Sequence, residues 1–181
     1  EQVNGALDIL DHAAPRLGSG IKLGFDATQK TIGEEIDGHP LQTPYPIPTP
    51  DQCSAAIDIA KSITGVLDAS APDQAPGWLF IKADKDHNEP NNAKLGASII
   101  KAFLAQPSAP RFIVILGRSV DIQDHHAALF HWSANSDASR DAYWDQSNNC
   151  DRVAFDATPK TPEDTRNNQP VRAWPPVLDG K

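Results

Sequence analysis

Histidines and carboxylates cluster between Asp121 and His131, and these residue types bind metal ions in proteins. The neighbours His125 and His126 would lie about 100° apart on a helix, so the two cannot easily face one ion. Asp124 directly precedes a helical pattern, where its carboxylate would cap free backbone N–H groups. Asp121 follows an apolar strand, at the edge where open α/β sheets bind ligands. The pattern favours a helix cap with surface histidines over a metal centre.

Other motifs with known chemistry are incomplete in this sequence. The glycines of "LGSGIKLG" lack the G-x-G-x-x-G spacing of a dinucleotide-binding loop. In "DKDHNEPNN" (84–92), Glu89 stands where a calcium loop needs glycine and Leu95 where it needs a carboxylate, which favours a solvated loop. Cys53 and Cys150 could form one disulfide, and neither has a nearby second cysteine that would indicate a zinc site or a redox pair. Two buried or free thiols are the better interpretation for a cytoplasmic protein. We therefore predict no catalytic, cofactor-binding or metal-binding residue in this chain.

Helical and extended segments alternate after residue 50. The strand segments are short and rich in large apolar residues, as expected for strands covered on both faces. The first helix is predicted to have Asp51 as its N-cap, and the third to have Asp124 as its cap and to stop at Asn135. This alternation favours an α/β fold with a mostly parallel sheet and helices on both faces. The predicted helices span 51–67, 91–105 and 124–135, and the predicted strands span 77–83, 111–117 and 150–157.

The first 50 residues are organised differently from the rest. Their pattern is irregular, and "PLQTPYPIPTP" (40–50) holds five prolines in eleven residues. Proline at this density fixes an extended backbone, which indicates a linker. We therefore divide the chain into an irregular segment 1–40, a proline-rich linker 41–50 and an α/β domain 51–181. Because the sequence contains no methionine and begins with Glu1, we expect it to be a fragment of a longer protein.

Charge and hydropathy exclude some classes of partner. The formal net charge is −8 and the isoelectric point is about 5.1. An acidic chain without a basic stripe lacks the phosphate contacts that nucleic-acid binding requires. No apolar run reaches the roughly 18 residues needed to span a bilayer, and the N-terminus has no signal-peptide pattern. We expect a cytoplasmic protein without a nucleic-acid partner or a transmembrane segment.

The heptapeptide "FDATQKT" (25–31) recurs as "FDATPKT" (155–161). The aspartate of each copy ends a predicted strand, and its carboxylate can accept hydrogen bonds from the turn that follows. The lysine of each copy would lie over that turn. These residue types favour a structural role, as a turn that the chain uses twice, rather than a catalytic role. The repeated positions are Asp26, Thr28 and Lys30 in the first copy and Asp156, Thr158 and Lys160 in the second.

Three segments together resemble the C-terminal region of UbiD-type decarboxylases. Residues 5–35 ("GALDILDHAAPRLGSGIKLGFDATQKTIGEE") and residues 152–176 ("RVAFDATPKTPEDTRNNQPVRAWPP") are each similar to the tail of these enzymes. Residues 119–141 ("SVDIQDHHAALFHWSANSDASRD") are similar to a stretch near their end. The resemblance implies a long form with a partly duplicated C-terminal domain, of which this chain holds the end of a first copy and most of a second. In residues 119–141 the candidate strand-end and cap residues are Asp121, Asp124, Arg140 and Asp141.

The resemblance also carries expectations about chemistry. UbiD-type enzymes use prenylated FMN, held with a divalent and a monovalent cation, to add or remove carboxyl groups on aromatic and unsaturated acids, including ubiquinone and menaquinone precursors. Their Glu–Arg–Glu catalytic set and flavin site lie in an upstream part that no segment of this sequence matches. The implied roles of this chain are to contact that flavin-binding part, to cover the active site and to form homo-oligomer contacts. The implied enzyme is cytoplasmic, and membrane-peripheral if its substrate is prenylated.

These roles predict an apolar patch on the surface of the isolated domain, with Leu129, Phe130 and Trp132 as candidates. The alternative is a free-standing α/β binding or scaffold domain that uses the strand ends between Gly117 and Asp124. That alternative predicts a polar surface and a ligand pocket with convergent polar groups. A small hydrolase or metal enzyme is a third class, but no constellation of residues supports it.

Overall fold

A computed structural model of the chain describes residues 31, 33–36, 39–40, 47–86, 92–136, 138–145, 152–161, 164–166 and 169–170. The sequence-predicted positions Asp26, Thr28, Lys30 and Cys150 lie outside these residues, whereas Cys53 is described and carries a free thiol. The elements in chain order are β1 (Glu35–Ile36), β2 (His39–Pro40), α1 (Pro50–Lys61), β3 (Val66–Ser70), β4 (Trp78–Ala83), α2 (Leu95–Leu104), β5 (Phe112–Leu116), α3 (His125–Asn135), α4 (Ala138–Asp141), β6 (Ala142–Asp145), β7 (Arg152–Ala157), β8 (Thr165–Arg166) and β9 (Gln169–Pro170).

Five strands form one sheet in the order β3-β4-β5-β7-β6. Strands β4, β5 and β7 run parallel to one another, and they are the three strands that the apolar runs predicted. The edge strands β3 and β6 each run antiparallel to their neighbour. The α/β class is therefore confirmed. The sheet is mixed, so the prediction of a mostly parallel sheet is wrong.

Short connections explain why the β3 edge is antiparallel. Only residues 71–77 join β3 to β4, and a parallel pairing needs a crossover of a dozen or more residues. The predicted first helix continues to Leu67, the second residue of β3, because apolar residues recur at helical spacing up to that point. In the structure α1 ends at Lys61, and Gly65 turns the chain with a φ of +88°, a conformation that favours glycine.

Helix α1 begins at Pro50, the last proline of the stretch 40–50. Its N-cap is Thr49, not Asp51 as predicted. The Thr49 hydroxyl accepts a hydrogen bond from the Gln52 N–H at 3.3 Å, and the Gln52 side chain accepts one from the Thr49 N–H at 2.9 Å. This reciprocal pair is a capping box, and Pro50 occupies the first helical position, where a backbone N–H is not needed.

Side chains alternate along the central strands and build two apolar cores. Helices α1 and α2 cover one face of the sheet and α3 covers the other, so the prediction of helices on both faces is confirmed. The core under α1 and α2 includes Leu79, Ile81, Ile99, Ile100, Phe103, Ile113, Ile115 and Ala154. The core under α3 includes Phe80, Val114, Leu116, Ala128, Trp132 and Phe155.

Helix α3 follows its sequence prediction closely. Asp124 is its N-cap, and its carboxylate accepts hydrogen bonds from the N–H groups of His126 and Ala127 at 3.0 and 3.2 Å. The helix ends at Asn135, as predicted. Within the described ranges the longest helix is α1, with 12 residues, and none of the helices there could cross a bilayer.

Candidate functional site

The carboxyl ends of β4, β5 and β7 meet at one edge of the sheet, and buried charged side chains cluster there. Every member of this cluster is at most 5% exposed. Charged side chains are rarely buried unless they are paired, so the partners decide what the cluster can do. We call the cluster the corner network, and its members are Lys85, Asp141, Asp156, Thr158, Lys160, Thr161 and Asp164.

The second copy of the repeated heptapeptide forms a turn around Asp156. Thr158 donates to Asp156 Oδ1 through its N–H at 3.1 Å and through its hydroxyl at 2.6 Å. Lys160 Nζ donates to the carbonyls of Asp156 and Thr158 at 2.6 and 3.1 Å, and it lies 3.0 Å from Asp156 Oδ1. Its distance to Asp141 Oδ1 is 3.9 Å. The lysine therefore folds back over the turn and uses its donors within the corner.

Lys85 connects this turn to the start of α2. It follows β4, and its Nζ donates to both carboxylate oxygens of Asp164 at 2.9 and 2.8 Å. Asp164 also accepts from the N–H of Lys94 at 2.7 Å, and from the N–H and hydroxyl of Thr161 at 2.8 and 3.0 Å. Lys94 is the N-cap of α2, so the Asp164 carboxylate satisfies a backbone donor at the positive end of the helix dipole.

Two buried aspartates of the network have lowered pKa values. Burial raises the pKa of Asp156, but the charges of Lys160 and Lys85 and the hydrogen bonds of the turn outweigh it and hold the pKa below 3.8. Burial likewise raises the pKa of Asp164, and the hydrogen bonds from Lys85 and from two backbone N–H groups reverse that effect. Both carboxylates are ionised at neutral pH, so neither has the pKa of a general acid.

Close contacts fill the edge of the sheet around the corner network. A Cβ built on Gly117, at the end of β5, would lie 2.6 Å from Pro159 Cδ. A Cβ built on Gly96, in the first turn of α2, would lie 2.5 Å from Asp156 Cγ. Open α/β sheets bind ligands at this edge, but here the chain's own side chains occupy it. The residues at this edge therefore do not fit a flavin.

The predicted strand-end and cap residues differ in their surroundings. Asp121 is exposed, and its carboxylate accepts a hydrogen bond from the Gln123 N–H at 2.9 Å. Asp124 is exposed and caps α3. Asp141 is buried at the end of α4 and belongs to the corner network, while Arg140 lies beside it in the same short helix. Within the described ranges, no three histidine, cysteine, aspartate or glutamate side chains are grouped to hold a metal ion.

The predicted apolar patch is smaller than expected. Leu129 is 40% exposed and Phe130 is 53% exposed. Trp132 is only 8% exposed, so its prediction as an exposed residue is wrong. It lies on the face of α3 that packs on the sheet, with its ring edge-on to Phe112 and Phe155 at centroid distances of 5.2 and 5.3 Å. The exposed patch on α3 therefore consists of Leu129 and Phe130, and we call it the α3 patch.

A groove of about 370 Å³ lies between α1 and the segment that leads into β5. It is at the opposite end of β5 from Gly117, so it does not lie at the strand ends that the alternative of a free-standing binding domain would use. Its lining is mostly apolar and consists of Gln52, Ala55, Ala56, Ile59, Pro107, Ser108 and Ala109.

Three buried charged residues were not identified from the sequence. Lys85 lies in the stretch that was predicted as a solvated loop, and that prediction is wrong for it because its side chain is fully buried. Its partner Asp164 lies 79 residues further on, beyond the reach of any local spacing rule. Arg152 is 4% exposed at the start of β7, where an arginine at the head of an apolar strand was a usable signal.

The chain folds as an α/β domain with three central parallel strands, and ion pairs between its own side chains close the strand-end edge of the sheet. Residues 53–164 match the family model of the UbiD C-terminal domain, the 3-octaprenyl-4-hydroxybenzoate carboxy-lyase C-terminal domain. Because the match covers more than half of the chain, the chain belongs to this family. The match includes the stretch between residues 53 and 110, which lies outside the three segments whose sequences resemble these enzymes.

Solved structures of UbiD-class enzymes are similar to this chain. The vanillic acid decarboxylase of Sedimentibacter hydroxybenzoicus, in its open form, is 12% identical with a TM-score of 0.50, over 70% of this chain and 30% of that chain. A dimeric form of HmfF from Pelotomaculum thermopropionicum, in complex with prFMN, is 16% identical with a TM-score of 0.47, over 71% and 27% of the two chains. At these identities the likeness concerns the fold, and the chain spans about a third or less of each enzyme's length.

Proposed function

We propose that this chain is the C-terminal part of a UbiD-type carboxy-lyase and that its α/β domain is structural. The main support for the structural role is the closed edge of the sheet at the carboxyl ends of β4, β5 and β7. The charged side chains Lys85, Asp156, Lys160 and Asp164 are paired with one another there. A substrate or cofactor would have to displace buried ion pairs, which is costly because it leaves uncompensated charges. The domain therefore supports an active site that other residues build.

The proposal includes a division of the chain into two copies. Residues 1–40 are the end of a first UbiD-like copy, residues 41–50 are a linker, and residues 51–181 are a second copy. The repeated heptapeptide supports this division. The start of α1 at Pro50, directly after the proline-rich stretch, supports it as well.

The α3 patch is the proposed contact surface of the domain. Leu129 and Phe130 are consecutive large apolar residues of one helix, and both are exposed. In the intact enzyme they contact the flavin-binding part or another subunit, and so help to cover the active site or to form the oligomer. Because each side chain is already about half buried, burying the remainder would contribute about 1 kcal/mol for each residue.

The activity belongs to the whole enzyme in this proposal. The upstream part binds prenylated FMN with a divalent and a monovalent cation and carries out the non-oxidative decarboxylation or carboxylation of an aromatic or polyprenyl-hydroxybenzoate-type acid. The family match and the UbiD-class neighbours support this reaction class. A role in ubiquinone or menaquinone synthesis belongs to the same proposal, as does a cytoplasmic location that becomes membrane-peripheral if the substrate is prenylated.

The test is flavin reconstitution of this chain alone and of the chain co-expressed with the upstream flavin-binding part. Flavin is followed by absorbance and activity by release of CO₂. The proposal predicts activity for the co-expressed pair and neither flavin nor activity for the chain alone. Flavin retained by the chain alone would overturn the structural role. If neither preparation binds flavin or releases CO₂, a free-standing binding or scaffold domain would be favoured.

A further inference from the structure

Strand β3 forms one edge of the five-stranded sheet. In the part of the chain that the structure describes, β3 pairs with β4 alone, so its other side has no neighbouring strand. Leu67 on this strand is 49% exposed, so solvent reaches the edge. An accessible edge presents backbone N–H and C=O groups with which a strand of another molecule can pair. The groups on the outer side of β3 therefore decide whether this edge can bind another strand.

The backbone N–H of Ala69 lies on this outer side. The Asp84 N–H donates to the Gly65 carbonyl at 2.8 Å, so residue 84 directs its backbone groups toward β3. Because backbone groups point to alternate sides along a strand, Ile81 directs its own groups away from β3. Ala69 is the register partner of Ile81, and its N–H therefore points away from β4. An added strand would form its hydrogen bonds at this position.

Asp68 occupies this outward N–H with its own side chain. Its Oδ1 accepts a hydrogen bond from the Ala69 N–H at 2.9 Å and lies 2.9 Å from Lys61 Nζ on α1. The hydrogen bond from Lys61 lowers the pKa of Asp68 and outweighs the effect of burial, so the carboxylate is charged at neutral pH. A strand added at this edge would have to displace the carboxylate from the N–H and remove part of its hydration, which opposes pairing.

A β-bulge beside Asp68 interrupts the same edge. The register passes from Val66 with Ala83 to Asp68 with Lys82, so Leu67 has no partner on β4. Bulges and charged side chains are two of the features by which natural edge strands avoid pairing with other molecules. On β3 both features occur between Val66 and Asp68.

We propose that Asp68 protects the β3 edge and prevents it from pairing with the β3 edge of a second copy of this chain. Without the carboxylate, two copies related by a twofold axis could pair antiparallel about Ala69, with each Ala69 N–H donating to the Ala69 carbonyl of the other copy. Asp68 prevents this exchange because it holds the donor within its own chain. The inference does not depend on the proposed function, whose contact surface is the α3 patch.

The test compares the full chain with its Asp68→Ala variant in dilute and concentrated samples. Light scattering measures the mass, and hydrogen exchange followed by NMR measures the protection of single amides. We expect Asp68→Ala to lower the dissociation constant of self-association about tenfold or more. We also expect the Ala69 amide of the variant to exchange about tenfold more slowly in the concentrated sample, whereas that of the parent exchanges equally in both. Asp58→Ala removes the same charge from an exposed position on α1 and is expected to behave like the parent.

Three results would overturn the inference. If Asp68→Ala keeps the mass and the Ala69 exchange rate of the parent at every concentration, the carboxylate does not protect the edge. If Asp58→Ala associates as strongly as Asp68→Ala, the cause is net charge. If Asp68→Ala associates without slower exchange at Ala69, the contact lies elsewhere. The Asp68 side chain is 41% exposed, so the variant is expected to fold, and thermal unfolding of dilute samples checks this.

Discussion

Arg152 and Asp156 lie four residues apart on β7 and reach opposite ends of α2. Arg152 donates to the carbonyls of Leu104 and Gln106 at the end of the helix, while the Asp156 carboxylate lies against Gly96 in its first turn. A cation at the C-terminal end and an anion at the N-terminal end both match the helix dipole. One strand therefore fixes both the position and the direction of the helix that starts at the corner network.

Substituting Gly96 by alanine tests the contact at the first turn. In an unconstrained helix this change would stabilise by up to about 1 kcal/mol. Here the new Cβ would lie 2.5 Å from Asp156 Cγ, and that carboxylate is held by its own ion pair. We expect a net loss of about 1–3 kcal/mol in the free energy of unfolding, measured by urea denaturation.

The matched control for this variant is Ser98→Ala on the exposed face of α2. It changes helix propensity without a close contact, and we expect its free energy of unfolding to stay within about 0.5 kcal/mol of the parent. If Gly96→Ala were as stable as this control, the tight contact with Asp156 would be refuted.

Replacing Arg152 by lysine tests the other end of α2. Lysine keeps the charge but loses the planar fork that bonds two carbonyls and Asp145 together. We expect a loss of about 1–3 kcal/mol and faster amide exchange in the last turn of α2. Arg118→Lys is the control, because Arg118 pairs with Asp84 at a site where both side chains are about 40% exposed, and it should cost at most about 1 kcal/mol. Equal losses of stability in the two variants would contradict the role of Arg152 in holding the C-terminal end of α2.

The buried aspartates predict loss of stability in acid. The pKa values of Asp156 and Asp164 are lowered in the folded state, so their contribution is complete above the unfolded value near 3.8 and is lost as pH falls through the folded values. We expect the free energy of unfolding to fall steadily below about pH 4. Asp68→Asn, at an exposed pair with Lys61, should leave this profile almost unchanged. A flat profile between pH 5 and pH 2.5 would show that the two aspartates gain no stability from their partners.

The α3 patch predicts a variant that affects assembly and leaves folding intact. The double substitution Leu129→Ser and Phe130→Ser changes exposed side chains, so the unfolding midpoint of this chain alone should move little. Binding to the upstream flavin-binding part, or oligomerisation of the pair, should weaken about tenfold or more, as followed by light scattering. Trp132→Ala, in contrast, removes a core side chain and should cost about 3–5 kcal/mol. Unchanged assembly of the double variant would remove the α3 patch from the proposed interface.

The sequence predicted the centre of the fold better than its edges. Apolar runs such as 111–117 mark strands that are covered on both faces, and Asp124 marked a helix start through its local hydrogen bonds. Strand β3 was missed because helical spacing of apolar residues continued past the turn at Gly65. Strand β6 was missed because its four residues are too few for a periodic signal.

The corner network could be predicted only in part. The heptapeptide indicated the turn around Asp156, since an aspartate, a threonine and a lysine at this spacing can bond to one another locally. The ion pair of Lys85 and Asp164 could not be found in this way. The two residues lie in polar stretches that look solvated, and only the parallel arrangement of β4, β5 and β7 brings them together.

The structural role of the corner network is tested most directly by a double-mutant cycle on Lys85 and Asp164. We expect Lys85→Met and Asp164→Asn each to cost about 3–5 kcal/mol in the free energy of unfolding, because either change leaves a buried group uncompensated. We expect the two effects to be coupled by at least about 1 kcal/mol. The exposed pair Lys61 and Asp68 should show a coupling of at most about 1 kcal/mol. A Lys85→Met chain that keeps its stability but abolishes CO₂ release when paired with the flavin-binding part would contradict the account, because Lys85 would then serve the chemistry rather than the fold.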